Sequence, residues 1–363
     1  MLAYFPPLAA FLVAVAVVLW STPRIKRLAL KRGFVDKPNG RKVHKAPMVR
    51  LGGVAMFSGF ILAILAAFSL GGFQGLPWEK QAEIYGVILG ASAYFAVGLL
   101  DDIFNLSPSS RLLMQIFVAI GAWSAGVQIN FLTIPGLGLT KLPEIISLII
   151  TVVWLVGITN AINWIDGLDG LAAGVAGIAA SVMFATCLAM NQPGAAIVAA
   201  ALAGSSIGFL RYNFNPAQIF MGDGGAYFTG FTLAGVGVIG LVKGVTTVAV
   251  FLPSIVVILP YLILAVPILD MSAVIVDRLW RGKSPFIADK RHLHHRLLNA
   301  GVSHRHTVLF IYSLTIWVGS FAYGCFTFAS SKMPAGFIYC IGATGLVMFS
   351  SWQVWRIARQ SEA

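Results

Sequence analysis

Four stretches of this 363-residue chain carry side chains whose types and spacing suit ionic chemistry. The first is Asp101-Asp102-Ile-Phe-Asn-Leu-Ser-Pro-Ser-Ser-Arg111, directly after an apolar run. Adjacent carboxylates repel, and a charge at mid-bilayer costs roughly 2.5–3.5 kcal/mol on insertion scales, so the pair calls for Mg²⁺ or an Arg or Lys partner. A solvated helix end, with Ser107 or Ser109 capping the next helix, is the plainer alternative. In the second stretch Asn160, Asn163, Asp166 and Asp169 recur three residues apart, and a helix would line them along one face. Gly167 and Gly170 loosen the turn and expose backbone N–H groups; a polar loop with Asp-Gly turns accounts for the glycines but not for the spacing.

The third stretch runs from Asn213 to Gly222-Asp223-Gly224-Gly225, just ahead of an apolar segment. A lone carboxylate among glycines at a helix N-terminus suits a metal-bound phosphate, because the backbone approaches closely and the helix end favours an anion. A tight turn with Asp223 as N-cap would look the same. The fourth is Asp289-Lys-Arg291-His292-Leu-His294-His295-Arg296. Catalytic zinc rarely takes its ligands from four consecutive residues, so imidazoles among cations fit recognition of a phosphorylated substrate better. A solvated cationic loop is the alternative. A fifth, weaker stretch places His44, Lys45 and Arg50 before Gly52-Gly53 and offers either a phosphate clamp or contacts to lipid headgroups.

The elements that position these groups must lie in a membrane. Charged residues are 10% of the chain and apolar ones 58%, far from the roughly one-quarter charged composition of soluble domains. About eleven apolar runs are long enough for transmembrane helices: 8–20, 51–70, 84–100, 112–127, 145–158, 171–190, 195–210, 227–242, 246–269, 308–330 and 336–354. Pro253, Pro260 and Pro267 break the ninth, and alternation across 127–143 predicts a small external β-hairpin. With the N-terminus outside and the C-terminus cytoplasmic, only Lys80, Lys141, Lys243 and Lys332 of the 25 cations fall outside, a strong positive-inside bias. All nine aspartates and all six histidines then share the cytoplasmic side, in loops near 22–50, 101–111, 159–170, 211–226 and 270–307. The net charge of +12 therefore sets topology, and nucleic acid is not an expected partner. Cys187, Cys325 and Cys340 sit in apolar runs as small hydrophobes. The expected fold is an all-α polytopic membrane protein forming one domain over 1–363.

The Asp101-Asp102 pair, the Asn160…Asn163…Asp166-Gly-Leu-Asp169-Gly run, Phe220-Met-Gly-Asp223 and His292-Leu-His294-His295 occur in an order that resembles the polyprenyl-phosphate N-acetylhexosamine-1-phosphate transferase superfamily (glycosyltransferase family 4). The histidine stretch, with Arg291, resembles the branch that transfers N-acetylglucosamine 1-phosphate to undecaprenyl phosphate. The sibling phospho-N-acetylmuramoyl-pentapeptide transferases, the alternative within the superfamily, usually carry three consecutive histidines.

The resemblance implies that a polyprenyl phosphate attacks the β-phosphorus of a UDP-N-acetylhexosamine, releasing UMP, at the cytoplasmic face of a bacterial inner membrane. It implies Mg²⁺, replaceable by Mn²⁺, on Asp223 with Asp166 as a second candidate ligand. It makes Asp101, with Asp102 beside it, the candidate to deprotonate or orient the lipid phosphate. Attack by a phosphate that is already dianionic is the alternative, since phosphate monoesters have a second pKa near 6. It further implies that Asn163, Asp166 and Asp169 hold nucleotide or metal-bound groups with support from Asn160, that Asn213 lies near the pyrophosphate, that Lys45, Arg111 and His294 touch phosphates, and that Arg291, His292 and His295 assist at the sugar phosphate. A second copy of the chain is a candidate partner. From other classes, a secondary transporter would place its acids near the midplane of repeated halves, and a basic scaffold for nucleic acid or lipid would not need nine same-side aspartates.

Overall fold

A computed structural model of the chain describes residues 5–34, 48–134, 138–243, 253–282, 291–329 and 333–362. The apolar runs fold as helices because only a helix satisfies its own backbone in lipid. They are α1 (Phe5–Arg32), α2 (Gly52–Ser69), α3 (Trp78–Phe104), α4 (Pro108–Ser124), α5 (Glu144–Ile165), α6 (Leu171–Ala189) and α7 (Pro193–Asn213). Next come α8 (Gly222–Val236), which continues as a π-helical stretch over Gly237–Val242, then α9 (Pro253–Ile263), α10 (Ala265–Trp280), α11 (Leu293–Asn299), α12 (His304–Ala329) and α13 (Met333–Glu362). Eight of these helices are long and apolar enough to cross a membrane. The three other expected spans correspond to α4, at 17 residues, to the α9–α10 pair and to α13. The ninth run is indeed interrupted, at Leu264 between Pro260 and Pro267; its residues 246–252 lie outside the described set. The hairpin is present as antiparallel β1 (Phe131–Ile134) and β2 (Gly138–Lys141), in the register Phe131↔Lys141.

Helix ends differ from the apolar boundaries. Helix α1 continues to Arg32 and α3 includes Asp101 and Asp102, so parts of the expected loops 22–50 and 101–111 are helical. Helices also take up Thr159–Ile165, Arg211–Asn213 and Asp270–Trp280. Hydropathy marks where lipid contact stops, whereas backbone hydrogen bonding runs on for another turn or more into polar surroundings.

Helix α8 is the axle of the bundle. The whole of its most apolar stretch is buried, with α2, α3, α5 and α7 packed around it. Without a hydrophobic driving force between helices in lipid, such packing relies on small residues that let backbones meet. At Gly98 of α3 a β-carbon would collide with the Asp223 carbonyl, and at Gly53 of α2 with the Gly225 backbone. Outward faces are apolar, as at Phe117, Leu89 and Ile145. At the far end of α8, the Lys243 ammonium donates to Glu83 Oε1 at 2.9 Å and to the Gly126 carbonyl, while Lys80 sits 3.3 Å from Glu83 Oε2.

Gly98→Ala should destabilise the detergent-solubilised protein by about 1–3 kcal/mol, as overpacking against fixed backbone does. Gly121→Ala, where the β-carbon meets nothing within 4 Å, should be neutral or slightly stabilising. Thermal unfolding of the two variants side by side checks the close approach.

Candidate active site

At one end of the bundle the C-terminal ends of α3 and α5 meet the N-terminal ends of α2, α4 and α8. The α2 start is tied in by backbone: Gly52 N–H donates to the Phe220 carbonyl at 2.9 Å and Gly53 N–H to that of Met221 at 2.7 Å. Phe220 N–H donates in turn to the Val49 carbonyl at 2.8 Å. This short pairing brings Arg50 within 3.5 Å of Asp223 Oδ2 and 3.9 Å of Asp102 Oδ1.

The two adjacent carboxylates of α3 have separate partners. Asp101 is 5% exposed; its Oδ2 pairs with Arg111 at 2.6 Å and its Oδ1 accepts the Leu106 N–H at 2.8 Å. Asp102 reaches α8, where Oδ1 accepts the Asp223 N–H and Oδ2 the Gly224 N–H, both at 3.0 Å. This corrects the expectation that these amides would cradle a ligand phosphate. The first N–H groups of a helix have no intrahelical partner, and here the Asp102 carboxyl accepts two of them. Nor is Asp223 an N-cap, since it lies inside the first turn of α8. Its Oδ1 accepts from Asn163 Nδ2 at 2.6 Å, joining the second and third stretches.

The other members of the asparagine–aspartate run brace the site. Asn160 Nδ2 donates to Gln115 Oε1 of α4 at 2.8 Å. Asp169 Oδ2 accepts from Asn215 Nδ2 and from the Ala217 N–H, each at 3.0 Å. Asn213 is 2% exposed; its Oδ1 accepts the Gly170 N–H at 3.1 Å and its Nδ2 donates to the Ile219 carbonyl at 2.9 Å. Both halves of that amide are therefore engaged in pinning two loops together. Lys45 lies outside the described residues.

Asp166 remains half-buried at the end of α5. Burial, then the charge of Asp223, pushes its carboxyl well above the usual range, with Asp102 and Asp169 adding and Arg50 opposing. So concentrated a field, made of hard oxygen donors, fits a divalent cation. Among the described residues no three His, Cys, Asp or Glu side chains form a metal cage. Mg²⁺ does not require one, because it keeps waters and binds through one or two carboxylates plus substrate phosphates.

The histidine stretch docks onto this centre through α11. At Gly167 a β-carbon would lie 2.5 Å from His294 Nε2, so the missing side chain is what lets that imidazole reach the acidic turn. His292 and His294 stack with ring centres 5.6 Å apart, and His295 lies 4.3 Å from His294. Arg291 pairs with Asp277 of α10. Four contributors were not expected from the sequence: Asp270, Asp277, Trp164 and Arg278. Asp270 carried a usable mark, an acid that directly ends an apolar run, as Asp101 does.

His294 is 1% exposed and neither ring nitrogen has a hydrogen-bond partner among the described residues. Burial, then the neighbouring His295 and His292, lowers its pKa to about 3. An unfolded chain takes up this proton near the ordinary histidine value of 6.5, so stability present above pH 6.5 falls as pH drops from there towards 3. Between pH 7 and pH 5 the wild-type melting temperature should fall more steeply than that of His294→Gln. Equal slopes in thermal melts would overturn the neutral, buried imidazole.

The model for glycosyl transferase family 4 matches residues 84–241. The chain is 38% identical to a probable undecaprenyl-phosphate N-acetylglucosaminyl 1-phosphate transferase of Bacillus subtilis, over 86% of this chain and 87% of that protein. It is 35% identical to the decaprenyl-phosphate N-acetylglucosaminephosphotransferase of Mycobacterium tuberculosis, over 86% and 80% of the two chains. Identity to the undecaprenyl-phosphate alpha-N-acetylglucosaminyl 1-phosphate transferase of Pasteurella multocida is 32%, over 84% and 81%. With motif order, site geometry and near full-length likeness in agreement, the chain belongs to glycosyl transferase family 4, as a multi-pass membrane transferase.

Proposed function

We propose that the chain transfers N-acetylglucosamine 1-phosphate from UDP-N-acetylglucosamine to undecaprenyl phosphate, or a similar polyprenyl phosphate, at the cytoplasmic face of a bacterial inner membrane. The observation that carries this reading is the 2.6 Å bond from Asn163 to Asp223, beside Asp166 and within reach of Arg50. It gathers the motifs of three separate chain segments into one anionic centre with a guanidinium at its edge. The relatives' printed activities supply the substrate class.

In this reaction an oxygen of the lipid phosphate bonds to the β-phosphorus of the donor. The bond from the β-phosphorus to the bridging oxygen breaks, and that oxygen leaves with the electron pair as part of UMP. Phosphoryl transfer depends on positioning and charge neutralisation rather than on covalent help from the protein. Asp223 and Asp166 would hold Mg²⁺, which when bound neutralises the pyrophosphate. Arg50 and Arg111 bring cationic donors to the same region. His294, neutral and buried, presents its ring nitrogens to a polar ligand group.

The ion pair and backbone bond of Asp101 favour a role in holding Arg111 rather than in removing a proton. The acceptor phosphate then attacks as the dianion that predominates at neutral pH. The N-out, eleven-span arrangement is part of the same proposal, supported by the distribution of cations.

Purified protein with undecaprenyl phosphate, UDP-N-acetylglucosamine and Mg²⁺ should release UMP. Asp223→Asn should lower that release by at least 10²-fold, whereas undiminished turnover would remove Asp223 from the centre. Asp101→Asn should leave the acid limb of the pH–rate profile in place, since that limb belongs to the lipid phosphate.

A further inference from the structure

A second constellation lies behind the histidines and is built from α10. Asp270 and Asp277, seven residues apart on α10, share one face of that helix, and Arg278 adjoins them. Asp270 Oδ2 lies 2.8 Å from His292 Nδ1 and its Oδ1 accepts the Leu293 N–H at 2.7 Å. Both side chains of the pair are nearly buried, at 7% and 8% exposure. Although burial opposes ionisation, the bonds from His292 and the Leu293 N–H hold the Asp270 carboxyl below its usual range. An ionised carboxylate only accepts hydrogen bonds. His292 Nδ1 is therefore the nitrogen that donates to Asp270, and Nε2 is the opposite edge of the ring.

The ring is also fixed in orientation. The Trp164 indole meets it edge-to-face at 5.9 Å, and the buried Arg278 guanidinium lies 5.1 Å from the Trp164 ring centre. Trp164 adjoins Asn163, the residue bonded to Asp223. The imidazole is thus set between a carboxylate on α10 and the helix end that supports the reaction centre. Among the described residues, Asp270 of α10 and His294 of its own segment face it directly; Arg278 acts through Trp164, and His295 lies beyond His294.

We infer that Asp270 is a positioning residue for transfer, holding His292 with its proton on Nδ1 so that Nε2 is offered to the phosphate-bearing donor; this rests on the proposed function above. The Trp164–Arg278 stack keeps the ring from turning. Removing partners that orient a metal-ligating histidine typically costs 10- to 100-fold, and a loss on the same scale is expected here.

The test is Asp270→Asn, which is nearly isosteric. The asparagine carbonyl still accepts the Leu293 N–H while its NH₂ faces Nδ1, so the ring must move its proton to Nε2. In ¹⁵N-histidine-labelled protein in nanodiscs, the wild-type His292 spectrum should show a protonated Nδ1 and the variant a protonated Nε2. With UDP-N-acetylglucosamine and undecaprenyl phosphate, kcat for UMP release should fall roughly 10- to 100-fold while the melting temperature stays close to wild type. Asp270→Glu should restore part of the rate. Introduced into a His292→Gln background, Asp270→Asn should cost nothing further, because the two residues act as a unit.

An unchanged kcat, or an equal loss in the His292→Gln background, would overturn the inference. So would an unshifted His292 spectrum. Absence of UMP release by the wild-type protein with every UDP-sugar would instead overturn the proposed function, while the nitrogen spectra would still decide the Asp270–His292 pairing.

Discussion

The carboxylate of Asp102, accepting the first backbone N–H groups of α8, is the interaction on which the rest of the site depends. It is made between helices that touch backbone to backbone at Gly98 and Asp223. Neither feature stands without the other: a bulkier residue at 98 would lift α8 away, and a residue with no acceptor at 102 would leave the Asp223 and Gly224 amides unpaired. An unpaired buried donor costs about 1–3 kcal/mol. The bond also explains why two adjacent aspartates coexist. One faces Arg111 and the other faces the positive end of a helix, so the two carboxyls are drawn apart into different partners.

Much of this arrangement was legible in the amino-acid order because polar residues stand out in so apolar a chain. The Asn160–Asp169 spacing, the carboxylate pair, the broken ninth helix and the hairpin each leave a local mark that a run of neighbours suffices to expose. Partners distant in sequence leave none. Asp102 and Gly224 are 122 residues apart, and either one alone suggests a solvated helix end or an anion cradle. Trp164, Arg278 and Asp277 looked like ordinary apolar or charged positions because their roles arise from ring faces and helix faces that meet only on folding. Helix ends were misplaced for a simpler reason: apolarity stops where lipid stops, and hydrogen bonding does not.

The division between α8 and α10 has a chemical logic. Asp223, Asp166 and Asn163 hang from helices locked into the centre of the bundle. The histidines, by contrast, are carried on the seven-residue α11 and the residue before it, and are held from behind by α10 through Asp270, Asp277 and Arg278. Transfer between two phosphorylated substrates needs one rigid reference against which both are aligned, together with side chains that complete the enclosure around the donor. Under the proposed function, the buried bundle provides the first and the α10–α11 pair the second.

The Lys243–Glu83 contact at the opposite end of α8 acquires significance in this light. A helix held by a carboxyl at one terminus and by an ammonium at the other cannot slide or rotate about its axis without breaking one of these bonds. Asp223 is therefore placed before any substrate arrives. The conformational entropy of ordering the reaction centre is surrendered once, when the chain folds, and not again at each turnover.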